Sequence, residues 1–218
     1  MSEWSVQLAS ISQLVGKILL IPAGMALISI VVCAIAQEWF ALLPFSITAA
    51  VSGGLGLLLQ YLGRKAQASS LPQTLVSVAI GWALVAAAGA IPFWLVAHAI
   101  GAEATPTVSN FQNGLNALFE GFSGFTSTGL TMTLRPTELP ACLQWWRSFM
   151  SWVGGVGVIV LAIALMKPIQ DYYALYQAEG RQDRLRLTVT RTVRRIWFIY
   201  IAYTAVAFLL FQVVGMSA

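Results

Sequence analysis

The chain has 218 residues, 58% of them hydrophobic and 9% charged, with a net charge of +4 and a mean hydropathy of +0.78. Soluble domains carry about 25% charged residues, so this composition excludes an ordinary soluble domain and points to an integral membrane protein. Two isolated cysteines, Cys33 and Cys142, and a single histidine, His98, offer neither a disulfide framework nor metal-ligand spacing, and both cysteines are read as structural.

A membrane-crossing helix needs about 20 apolar residues. Five runs approach that length: Ile18 to Ala36, Phe40 to Leu62, Leu75 to Ala97, Phe149 to Met166, and Ile196 to Val214. The first resembles a secretion signal, since Ala34-Ile35-Ala36 mimics a cleavage site. Its apolar run exceeds the usual stretch of roughly 7–15 residues, and its leading flank offers Lys17 against Glu3, so a retained helix fits better. Pro22 predicts a kink in this span, and Gly53-Gly54-Leu55-Gly56 predicts a close helix crossing in the next. Neither span holds an acidic or basic side chain, which argues against a proton relay there.

Charge placement sets an orientation. Lys17, Arg64 and Lys65 lie on one side of the predicted spans, together with Lys167, Arg181, Arg184, Arg186, Arg191, Arg194 and Arg195. The opposite loops hold Glu38, Glu103, Glu138 and Arg135. The positive-inside rule places the N-terminus and the Arg-rich segment in the cytoplasm. Topology and anionic lipid account for that segment, so nucleic acid is not an expected partner.

The stretch Phe119-Glu120-Gly121-Phe122-Ser123-Gly124-Phe125-Thr126-Ser127-Thr128-Gly129-Leu130-Thr131 lies between the third and fourth runs. Loop residues from Gly101 to Gln112 precede it, and His98 beside Trp94 reads as an interfacial residue rather than a pH sensor. Asn116 is the expected N-cap of a short pore helix, with Glu120 in its first turns and Phe119, Phe122 and Phe125 forming an apolar flank. The spacing alone also suits a surface helix. The continuation into Thr126-Ser127-Thr128-Gly129 is what distinguishes it. Irregular backbone survives at membrane depth only inside protein or beside water, and carbonyls facing a pore replace the hydration shell of a monovalent cation. The stretch therefore reads as part of an ion-selectivity filter.

The fourth run opens with Trp145-Trp146-Arg147 and contains Gly154-Gly155-Val156-Gly157. Arg147 either snorkels to the headgroups or forms a buried pair with Glu120 that braces the filter loop, and the second reading is preferred. The segment Lys167 to Arg195, with Tyr172, Tyr173 and Tyr176, reads as a lipid-facing linker, with docking of a cytosolic partner as the alternative.

The order helix, re-entrant half-helix, filter, Gly-rich helix resembles the TrkH/KtrB superfamily of bacterial potassium transporters. The resemblance rests on Gly89-Ala90-Ile91-Pro92-Phe93, on Asn116 through Gly129, on Trp146-Arg147-Ser148, on Trp152-Val153-Gly154-Gly155-Val156-Gly157, and on Leu175-Tyr176-Gln177-Ala178-Glu179. It implies an all-α, multi-pass inner-membrane protein with one re-entrant pore helix and filter loop, and no enzymatic activity. It divides the chain into an N-terminal hairpin (1–73), an M1–pore–M2 repeat (74–166), a basic cytoplasmic connector (167–195) and the first helix of a second repeat (196–218). Potassium is the implied ion, held by carbonyls of Thr126, Ser127, Thr128 and Gly129, with a glycine at the position of Gly129 favouring it over sodium. Some branches couple to sodium. Glu120 and Arg147 would support the filter, while Gly154, Gly155 and Gly157 would give the following helix flexibility and packing. No covalently bound cofactor is implied. The implied partners are lipid, the remaining repeats, a second copy, and a cytosolic nucleotide-binding regulatory subunit.

Two departures stand out. The filter reads Thr-Ser-Thr-Gly where Thr-Thr-Thr-Gly is common, and Gln170-Asp171-Tyr172-Tyr173 replaces a Gly-rich turn. With one complete repeat, three readings stay open: the N-terminal part of an uptake subunit, a short homotetrameric channel subunit, or a pore-dead assembly or regulatory subunit.

Overall fold

The computed structural model describes residues 3–66, 70–165 and 184–215, the backbone alone being described for 3–6, 71, 158–165 and 184–191. All regular structure among them is helical: α1 (Glu3–Ile35), α2 (Leu42–Leu62), α3 (Leu71–Ile100), α4 (Pro106–Ser109), α5 (Gly114–Phe125), α6 (Ala141–Leu165) and α7 (Arg184–Val213), with four short 3-10 turns between. Four stretches of the described residues are long and apolar enough to cross a membrane: Gln7–Ile35, Trp39–Leu62, Pro72–Glu103 and Thr192–Val213. The chain is an all-α, multi-pass membrane protein. Helix α6 covers most of the remaining predicted run, whose last residue lies outside the described ones.

The chain forms two compact units, Met1–Gly154 and Gly155–Ala218. In the first, α1 and α2 make an antiparallel hairpin. The turn closing α1 uses two bonds typical of a helix C-terminus: Glu38 N–H donates to the Cys33 carbonyl at 3.0 Å and Gln37 N–H to the Ala34 carbonyl at 3.2 Å. That geometry needs a left-handed residue, and Gln37 takes it with φ 58°. The predicted close crossing falls at Gly56, where an added Cβ would come within 2.9 Å of the Gly16 carbonyl oxygen, while Gly54 faces open space.

Helix α3 starts earlier than its apolar run. Ser70 and Gln73 form a reciprocal capping box, in which the Ser70 N–H donates to Gln73 Oε1 at 3.0 Å. It then runs 30 residues with Pro92 in its interior. The segment expected as plain loop from Gly101 to Gln112 instead folds into short helical turns, one of them capped by the Thr105 hydroxyl. Pro106 sits in its first turn, where its missing N–H costs nothing.

The core of this unit joins α1, α2, α3, α5 and the start of α6. Phe45 meets the Trp146 ring edge-on at 5.4 Å and Phe93 packs on Phe111 at 5.0 Å, all four fully buried. The Trp146 indole N–H donates to the Gly89 carbonyl at 2.9 Å, tying α6 to α3. Most of the second unit's basic connector, including Lys167, Arg181 and the tyrosines from Tyr172 on, lies outside the described residues. Within helix α7 the apolar side chains Phe198, Ile201 and Leu209 are exposed among the described residues.

Candidate functional site

Helix α5 has 12 residues and begins at Gly114. Asn113, not Asn116, caps it: the Asn113 side chain accepts from Leu115 N–H at 3.0 Å. Asn116 lies inside the first turn and serves elsewhere, donating to the Asn110 carbonyl and side-chain oxygens at 2.9 and 2.8 Å. Glu120 is consequently midway along α5, beyond the first-turn influence of the helix dipole. Of the three phenylalanines only Phe125 is buried; Phe119 and Phe122 are 42% and 40% exposed.

Glycines let α5 sit between its neighbours. A Cβ on Gly121 would collide with the Ala86 carbonyl of α3, and one on Gly154 would collide with the Phe125 carbonyl at the end of α5. Of the three glycines offered for α6, Gly154 is thus placed at this contact. Gly155 and Gly157 are half-buried and belong to the second unit.

At Thr126 the helix stops. Ser127 N–H donates to the Gly124 carbonyl and Thr128 N–H to the Ser123 carbonyl, both at 3.0 Å. This is the same terminating pair as at α1, and Ser127 takes the left-handed position with φ 52°. Such a conformation costs a non-glycine residue about 1–2 kcal/mol. The Ser127 hydroxyl offsets part of this by donating to the Ser151 carbonyl on α6 at 3.0 Å. The Trp82 indole of α3 donates to the Phe125 carbonyl at 3.3 Å, and the hydroxyls of Thr126 and Thr128 meet at 2.6 Å. Gly129 has φ 80°, open space where a side chain would stand, and an exposed surface shared with residues 126 to 131. Among the described residues, no donor is bonded to the carbonyls of Thr126, Ser127, Thr128 and Gly129.

The chain then returns as an extended leg, and Glu120 fixes it. This carboxylate is 1% exposed and accepts from the Thr131 hydroxyl at 2.9 and 3.0 Å and from Met132 N–H at 2.9 Å. The Arg147 Nε closes the set at 2.6 Å from Glu120 Oε1. Arg147 retains 28% of its side-chain surface, so the pair is anchored inside and open at one edge. The two side chains offered by the sequence as a pair therefore meet. Ser123 donates to the Leu130 carbonyl, and Asn110 to that of Met132 at 2.7 Å, so helix and return leg are laced together from both sides. Farther along, Thr107 donates to Glu138 at 2.7 Å and Arg135 pairs with it at 3.1 Å. The Thr107 hydroxyl, with Arg135 in support, holds the Glu138 carboxyl below the usual carboxylate range.

With this geometry in place, comparison with known proteins is informative. The family described as TrkH, cation transport protein, matches residues 59–218. The chain belongs to the TrkH family. A Trk system potassium uptake protein of Escherichia coli is 28% identical over 216 residues, which is 96% of this chain and 42% of that protein. An uncharacterised cation transporter of Methanocaldococcus jannaschii is 34% identical over 148 residues, 67% of this chain and 29% of its own length. A Vibrio parahaemolyticus Trk system potassium uptake protein is 29% identical over 145 residues, 64% of this chain and 28% of its own. The chain thus spans less than half the length of each of these TrkH-family relatives.

Three participants were not found from the sequence. Trp82 lies 43 positions from the carbonyl it serves, and a tryptophan in an apolar run carries no sign of its partner. Asn113 was passed over for Asn116, although both are asparagines just ahead of apolar residues. Glu38, in the α1–α2 turn, accepts from Ala141 and Cys142 N–H at 2.7 and 2.8 Å, capping α6 from more than 100 positions away. An anion at that helix end also complements the dipole.

Proposed function

We propose that this chain takes part in potassium uptake across the bacterial inner membrane, supplying one quarter of a selectivity filter in a TrkH-type pore. The observation that carries the reading is the exposed strip Thr126–Gly129, whose four successive carbonyls have no donor among the described residues while the backbone on both sides is bonded. Carbonyls left in that state at membrane depth are costly unless something else coordinates them. A dehydrated monovalent cation is the partner that carbonyl rings serve. The names of the Escherichia coli and Vibrio relatives support potassium as that ion, and in this reading sodium is a coupled or competing ion.

In this reading Glu120 and Arg147 hold the return leg rigid so that the carbonyls keep their spacing. Gly154 allows α6 to approach the end of α5, and Gly155 and Gly157 give α6 room to move. The exposed Phe119 and Phe122 beside the strip support further pore-lining segments packing there, from other repeats of the transporter. The N-terminus faces the cytoplasm, and a second copy, lipid and a cytosolic nucleotide-binding subunit complete the system.

Gly129→Ser tests the filter directly. In an active assembly containing this chain, the substitution is expected to erode selectivity for potassium over sodium at least tenfold, a change of about 1.4 kcal/mol, measured by competing cation uptake. Unchanged selectivity would remove Gly129 from the filter. Potassium-dependent growth supported by this chain alone, in a host lacking uptake systems, would favour the homotetrameric reading instead.

A further inference from the structure

Trp82 stands ten residues inside the apolar stretch Pro72–Glu103, about 15 Å along the α3 axis from the start of that stretch. Membrane tryptophans gather at the interfaces, and Trp82 lies too deep for that role. Its indole N–H can only donate, so at this depth it needs an acceptor. It has one in the Phe125 carbonyl at 3.3 Å. Trp82, Ala86 and Gly89 share one face of α3 by their spacing, and that face meets α5. A Cβ on Gly121 would strike the Ala86 carbonyl, and one on Gly89 would come within 2.7 Å of the Phe125 ring. From the other side, the α6 backbone at Gly154 abuts the same Phe125 carbonyl. That carbonyl is also a boundary. The carbonyls of Phe122, Ser123 and Gly124 accept from backbone N–H groups of residues 126 to 128, Phe125 accepts from Trp82, and the next four accept from no donor among the described residues. Trp82 supplies the last bond before the open strip.

We propose that Trp82 is a positioning residue of the filter and a determinant of its ion preference: its indole N–H occupies the Phe125 carbonyl and so ends the coordinating strip at Thr126. The inference rests on the reading of Thr126–Gly129 as filter. Trp82 itself touches no ion and acts through the Phe125 peptide, which it holds from α3 while Gly154 backs it from α6. Without the indole N–H, the Phe125 carbonyl becomes a fifth unsatisfied oxygen at the α5 end of the strip. An unsatisfied carbonyl at membrane depth turns toward whatever can coordinate it, water or the passing cation. The Thr126 carbonyl, one peptide farther on, then loses its fixed starting point. Both the number of coordinating oxygens and their spacing change, and each of these bears on the balance between potassium and sodium.

The test removes the N–H and keeps the ring. In an active assembly containing this chain, Trp82 is replaced through nonsense suppression by 3-benzothienylalanine, in which sulfur stands where the indole N–H was. Competing potassium and sodium uptake and the thermal midpoint in detergent are measured together. Selectivity for potassium is expected to fall about fivefold, the ratio that one hydrogen bond of ordinary net strength represents, with the midpoint retained. Tryptophan inserted by the same suppression should restore it. Trp82→Phe, which also lacks the N–H, should show the same loss of selectivity with a lower midpoint from lost packing. Gly129→Ser is measured alongside. Selectivity lost in Gly129→Ser but kept in both Trp82 replacements would overturn the positioning role and leave the filter reading standing. Selectivity kept in all three would overturn the filter reading, and the role of Trp82 with it. Uptake and midpoint falling together at an unchanged potassium-to-sodium ratio would make Trp82 a packing residue only, which also overturns the proposal.

Discussion

Helices α1 and α5 end in the same way and lead to opposite outcomes. Each closes with a pair of backbone bonds around a left-handed residue that is not glycine, Gln37 in one and Ser127 in the other. After Gln37 the chain spends its polar groups at once: Glu38 caps α6 and α2 begins four residues on. After Ser127 it does not. Carbonyls 126–129 have no donor among the described residues, and the return leg hangs on Glu120, Ser123 and Asn110. The terminating motif therefore does not make a site. In the proposed reading, what makes one is a stretch of backbone left unsatisfied on one side and braced by buried polar side chains on the other.

Removing the brace should break the comparison most. Glu120→Ala strands the Arg147 guanidinium, the Thr131 hydroxyl and Met132 N–H together. Breaking a buried ion pair costs about 3–5 kcal/mol, and the partly open Arg147 puts this case near 3. A lowered thermal midpoint in detergent, with transport lost, is the expected result. Glu120→Gln, which keeps an acceptor, should lose less. A Glu120→Ala protein as stable as wild type would mean the return leg is held by other contacts.

Gly154→Ala comes next. Its Cβ would meet the Phe125 carbonyl, and backbone on both sides leaves no flexible side chain to yield. Overpacking of this kind costs about 1–3 kcal/mol, and it would also displace the end of α5. Both stability and ion selectivity should therefore shift, which separates this position from Glu38. Glu38→Ala removes the acceptor for two N–H groups of α6, worth about 1–2 kcal/mol by analogy with lost helix caps, and should lower the thermal midpoint with selectivity retained. If Glu38→Ala changed selectivity as strongly as Gly154→Ala, the two helix ends would be coupled rather than separate in role.

Much of this architecture was legible because membrane helices advertise themselves by composition. The apolar runs, the end of α5 at the Thr/Ser/Gly stretch and the Glu120–Arg147 pairing all follow from residue types that are expensive in lipid unless matched. The misreadings share one cause. Choosing Asn116 over Asn113 required knowing that Asn116 was already engaged with Asn110, which is a tertiary fact. Glu38 at the head of α6 and Trp82 at the Phe125 carbonyl join elements 104 and 43 positions apart. One chain's sequence carries no periodicity that links such residues, because each partner looks ordinary within its own helix.

The smallest expected effect is the sharpest probe of the two helix ends. Glycine at a left-handed position relieves about 1–2 kcal/mol of backbone strain and returns about 0.4–1 kcal/mol through the freer unfolded chain. Gln37 is exposed, so Gln37→Gly should stabilise the protein by about 0.5–1 kcal/mol. Ser127→Gly gains the same relief but gives up the hydroxyl bond to the Ser151 carbonyl, worth about 1 kcal/mol. Its net change should fall near zero. Thermal midpoints for the pair measure the difference directly. Equal stabilisation by both would mean that the Ser127–Ser151 contact contributes nothing to stability. A clear loss only in Ser127→Gly would mark that contact as the tie that holds the end of α5 against α6.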